Sequence, residues 1–110
     1  MTNQGNGDKD EVYRGRLEAL VLVTTRQSDL LKKVDKGFNR EFHMEHVAKL
    51  AAEAHGDKRR ISDLEVYSKT LNERVDSIVT ANPILLSDPL ITADYQDIKN
   101  AGLLYREFTL

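Results

Sequence analysis

The side chains best suited to chemistry are three histidines, His43, His46 and His55. His43 and His46 stand one turn apart, so a helix would turn both to one side, where they could share a metal ion. The surroundings that make such pairs work are missing. Helical-bundle metal sites place a Glu three residues before an inward His. Arg40, His43 and Ala52 hold those positions here. Zinc hydrolases space two histidines by four with a Glu between them, which is not the spacing of this pair. With Arg40, Glu41 and Glu45 around it, the pair reads as a solvated helix face. The absence of cysteine removes thiolate chemistry and disulfides. No serine sits in a nucleophile motif, and Gly5 and Gly7 follow no strand that could form a phosphate loop. The carboxylates fall in helical charge pairs such as Glu45–Lys49 and Glu65–Lys69. The expectation is a chain that is not an enzyme, with no cofactor, no metal and no small-molecule substrate.

Composition narrows the remaining classes. The 110 residues amount to one domain, 31% of them charged and 6% aromatic, which suits long solvated helices better than a compact enzyme. The formal net charge of −2 supplies no general attraction to nucleic acid or acidic membrane. The basic runs Lys32–Lys33 and Lys58–Arg59–Arg60 have no interleaved aromatics, which disfavours nucleic acid as a partner. The apolar run Leu20–Val23 is far too short to cross a bilayer, and the N-terminus lacks a charged-then-apolar signal pattern. A cytoplasmic or otherwise intracellular protein is expected.

The elements that would position any site are helical. Ile61, Leu64, Ser68, Leu71, Val75, Ile78 and Asn82 alternate in steps of three and four, the seam of an amphipathic helix. A second seam runs through Tyr13, Leu17, Leu20, Thr24, Gln27, Leu31, Val34 and Phe38, with Val12, Ala19, Val23 and Leu30 in a lane beside it. The β-branched Leu17–Thr25 stretch could instead form a strand. The helix is preferred because the heptad continues on both sides and no other segment offers a partner strand. Residues 1–9 read as a disordered tail and 10–110 as a single helical domain, its first helix opening near Asp8 or Asp10. Lys32, Lys33, Lys36 and a left-handed Gly37 would close that helix. Asn39 would cap the second helix and Gly56 would end it. Asp57, or a capping box at Ser62–Glu65, would start the third. Asn82–Pro83 would close it, and Asp88–Pro89 would open a fourth that Gly102 kinks or ends. The fold class is all-α: an antiparallel bundle of coiled-coil-like helices. The first and third are longest, at about 25 residues or about 38 Å each, and the C-terminal helix is shorter.

The seams also suggest how the chain works. Thr24 and Gln27 stand where Leu or Ile is expected, and polar groups inside a seam often fix register or partner. Each is expected to meet a hydrogen-bonding group across the seam. The stretch Leu17–Val23, apolar on every side, and the apolar C-terminus call for a second chain, either another helical protein or a second copy. The interface candidates are Tyr13, Leu17, Leu20, Val23, Thr24, Gln27, Leu31, Leu104, Tyr105 and Phe108. The function expected is a protein–protein interaction subunit of a larger helical assembly. The alternatives are a helical structural or filament-forming protein, secretion-associated or viral, and a small nucleic-acid-associated regulator. The spacing of Ser87-Asp88-Pro89, Tyr95-Gln96 and Leu104-Tyr105-Arg106 resembles the second half of type III secretion needle proteins. That resemblance implies a helical hairpin that stacks into a tube. It covers about a fifth of the chain, the region upstream is much longer than in needle proteins, and no residue role is carried over.

Overall fold

In a computed structural model, residues 4–109 are described, with side chains from Asp10 onward. Four helices follow one another: α1 (Gln4–Val34), α2 (Arg40–Gly56), α3 (Ile61–Ala81) and α4 (Pro89–Glu107). Short 3-10 turns at Lys58–Arg60 and Pro83–Ser87 link α2 to α3 and α3 to α4. The Leu17–Thr25 stretch is helix throughout. α1 starts at Gln4, ahead of the expected Asp8 or Asp10. The expected tail 1–9 thus overlaps its first turns, while residues 1–3 lie outside the described part. α4, with 19 residues, is shorter than α1 and α3 and slightly longer than the 17-residue α2.

Local chemistry sets most boundaries. The Asn39 side chain accepts the Phe42 N–H at the start of α2, and Asp88 accepts the Leu90 N–H with Pro89 in the first position of α4. Asp57 caps the 3-10 turn by accepting the Arg59 N–H. Ser62 instead donates back to the Arg59 carbonyl, so the capping box does not form. Gly37 is not left-handed, since no described glycine has a positive φ. Asp35 makes the turn after α1, its carboxylate accepting the Gly37 N–H and its carbonyl the Phe38 N–H. Gly102 does not end α4, which runs on to Glu107.

α1 is the axis of the molecule. It packs on α2, α3 and α4, and α2 also packs on α3. The apolar surface on every side of Leu17–Val23 is therefore met largely within the chain. Around the N-terminal half of α1, Leu17 and Leu20 join Val47, Leu50, Ala54, Ile61 and Leu64. Around its C-terminal half, Leu30 and Leu31 join Phe38, Leu71, Val75, Val79, Ile91 and Ile98. The α3 seam follows the expected register to Val75 and then turns through Val79, leaving Ile78 half-buried and Asn82 exposed. The two cores lie end to end in a body of 57 × 24 × 17 Å. Its radius of gyration is 15.5 Å, against about 13 Å for a compact domain of this length. Two buried side-chain polar atoms of α1 have no partner among the described residues, Arg16 Nε and the Ser28 hydroxyl. Ser28→Ala is expected to raise stability by about 1 kcal/mol, read from urea melts, because it removes an unpaired buried polar atom.

Candidate functional site

The structure divides the sequence's interface candidates. Leu17, Leu20, Val23, Thr24, Gln27 and Leu31 are buried in the chain's own core. Tyr13 is half-buried, its hydroxyl donating to the Ala54 carbonyl at 2.6 Å. The first-helix and third-helix seams meet each other. Thr24 makes no bond across the seam: its hydroxyl reaches the Leu20 and Val21 carbonyls of its own helix at 3.2 and 2.8 Å. A threonine inside a helix satisfies itself in this way. Gln27 does bond across, accepting the Ser68 hydroxyl at 3.2 Å. Leu104 remains exposed, while Tyr105 and Phe108 are half-buried against α1. The Tyr105 hydroxyl donates to Glu65, which also accepts Arg16 at 2.8 Å. Burial and this bond push the Tyr105 hydroxyl above its ordinary range. The Phe108 ring occupies the space above Gly15, where a Cβ would collide with it.

The histidine pair is not a solvated face. His43 is half-buried, stacked 4.1 Å from the Phe38 ring and hydrogen-bonded through Nδ1 to the Tyr67 hydroxyl, and His46 meets the edge of the Tyr67 ring. Among the described residues no group of three or more His, Asp or Glu comes together as a metal site would require. Burial, with Arg74 and His46 nearby, holds His43 below its ordinary value of 6.5. The folded state therefore binds fewer protons at His43 than the unfolded chain does. Stability contributed by neutral His43 is complete above about pH 6.5 and declines as pH falls below it toward the lowered folded value. A His43→Phe variant should flatten that part of a stability-versus-pH curve from urea melts.

One open feature of the surface lies between α3 and α4. These helices are joined by a short turn, yet they approach each other little along their lengths. A groove of about 680 Å³ remains. Val23, Ile98 and Leu103 supply its apolar lining, with Gln27 and Ser68 at its base. Lys69, Asn72 and Glu73 form the α3 wall, and Gln96, Lys99, Gly102 and Arg106 the α4 wall. The positions from Gln96 to Arg106 cover about 15 Å of helix. Eight other cations of the chain form ion pairs. Lys69, Lys99 and Arg106 form none among the described residues. Lys99 Nζ rests 4.9 Å from the centre of the Tyr95 ring, which steadies the ammonium without neutralising it.

Gly102 marks the groove most plainly. It sits inside α4, where glycine costs about 1 kcal/mol relative to alanine. Apart from its own turn of α4, no described atom comes within 4 Å of a Cβ placed there, as is also true at Gly56. Gly15 leaves room for Phe108, whereas the room at Gly102 is used by no part of this chain. Sequence reasoning missed Lys69, Lys99, Gly102, Leu103 and Arg106. The signal available was a helix-interior glycine between two cations at i−3 and i+4, Lys99 and Arg106, on one helix face.

Comparison with known proteins finds no matching family model, no matching curated protein and no matching solved structure. Among the described residues no helix is long and apolar enough to cross a membrane.

Proposed function

We propose that the chain is a non-catalytic interaction subunit that receives a helix of another protein along its open α3–α4 side. The observation that carries this reading is the open space at the helix-interior Gly102 in the wall of the groove. A helix-interior glycine whose Cβ space no chain atom occupies suits the close approach of a foreign backbone. The groove is long enough for about three turns of helix, and its apolar strip is of the kind an amphipathic helix covers. The seams first expected to bind a partner are spent on the chain's own core, which moves the proposed contact to this second surface.

The test uses a photo-crosslinking amino acid at Leu103, with Glu41 on α2 as the control position, both exposed. Crosslinks made in the native cell are mapped by mass spectrometry. The expected result is one helical segment of a defined protein joined at 103 and not at 41, and lost in Gly102→Trp. That variant should melt as the parent does, since the notch is empty. Crosslinks at 103 no different from those at 41 would defeat the proposal. Crosslinks to the same chain would make the partner a second copy.

A further inference from the structure

We infer that the helix accepted by the α3–α4 groove is amphipathic with an acidic flank, carrying carboxylates two turns apart beside its apolar stripe. This rests on the helix-docking reading above and names the partner's chemistry. The groove is rich in hydrogen-bond donors and poor in negative charge. Lys69 stands on one wall, Lys99 and Arg106 on the other, and Glu73 is the one acid among the lining residues. The chain as a whole carries −2, so the groove's three cations against one acid depart from the average of the chain. At the base, Gln27 is 1% exposed and its Oε1 is occupied by Ser68. Its Nε2 makes no hydrogen bond among the described residues, which leaves an amide donor beside the groove. A ligand that offers acceptors satisfies these groups, and the acceptor-only side chains are Asp and Glu.

The spacing adds register. Lys99 and Arg106 are seven residues apart on α4, about 10 Å and two turns along one face. A docked helix lying along α4 would match them with carboxylates at i and i+7. Between those carboxylates it would set apolar side chains over Val23, Ile98 and Leu103. A single-stranded nucleic acid fits less well. No aromatic lines the groove for base stacking, Glu73 would repel phosphates, and the apolar strip would be left uncovered.

The experiment measures fluorescence anisotropy of labelled peptides of roughly 16 residues, long enough to span the groove as a helix. One carries Leu along the stripe and Glu at i and i+7. A second has Lys in place of those Glu residues. A third probe is an oligouridine of similar length. The acidic peptide is expected to bind at least tenfold tighter than the Lys peptide and to weaken at least tenfold at high salt. Lys69→Gln with Lys99→Gln and Arg106→Gln should reduce that binding at least tenfold without moving the melting temperature. Gly102→Trp should abolish it. Equal or tighter binding of the Lys peptide, tighter binding of the oligouridine, or no response to the triple variant would overturn the inference. If Gly102→Trp removes the native crosslink at 103 while the triple variant leaves it intact, helix docking stands and the acidic chemistry falls. If Gly102→Trp changes neither the crosslink nor the peptide binding, both fall.

Discussion

Leu71→Ala is expected to destabilise the fold by about 2–5 kcal/mol, the range for truncating a buried leucine at a site that cannot collapse. Leu71 is 2% exposed and sits where α1, α3 and α4 converge, among Leu30, Leu31, Phe38, Val75, Val79, Ile91 and Ile98. Those neighbours come from three helices and the turn after α1. They are held from other directions too: Lys33 pairs with Asp94 at 2.6 Å, and Arg74 with Asp35. The void left by the missing methyls would therefore persist. Urea denaturation with an unchanged m-value is the measurement. A loss below about 0.5 kcal/mol would place this seam in solvent.

Ala54→Leu is expected to cost about 1–3 kcal/mol through overpacking, the second large effect. Ala54 is fully enclosed in the cluster of Leu17, Leu20, Val47, Leu50, Ile61 and Leu64. Its carbonyl accepts the Tyr13 hydroxyl, so the backbone there is tied to α1. Three extra carbons can be housed only by moving α2 away from α1, which strains that bond and the tight Gly56–Asp57 exit. Ala52→Leu, two residues away and exposed, is the control and should stay within about 0.5 kcal/mol of the parent. Equal melts for the two variants would mean that α2 packs more loosely than described.

The contrast between caps and contacts explains how much of this was visible in the residues alone. Asn39, Asp57, Asn82–Pro83 and Asp88–Pro89 act on their own neighbours, so their effect could be read from local order. The seam from Ile61 to Val75 is a helical period, and periods survive whatever packs on them. The turn after α1 went the other way. Glycine was expected to supply the reversal, and Asp35 does so by accepting two N–H groups. Thr24 was misjudged because a hydroxyl can return to its own helix, a choice that spacing does not encode. The groove was invisible because it lies where α3 and α4 stand apart beyond the core they share. Nothing in the period of α3 or α4 says whether they meet, and only the packing of both on α1 sets their separation.

The central position of α1 also sets a schedule for synthesis. Leu31 is made early, yet its cluster is completed by Ile91 and Ile98. Some 60 residues separate Leu31 from Ile91, about 3–12 s of elongation at 5–20 residues per second. During that interval α2 and α3 can already cover part of α1, but the flank destined for α4 stays bare. A nascent chain of this protein therefore displays a greasy helical stripe for seconds before it can be hidden. Exposed apolar surface of that kind is what makes a chain prone to aggregate before it is complete.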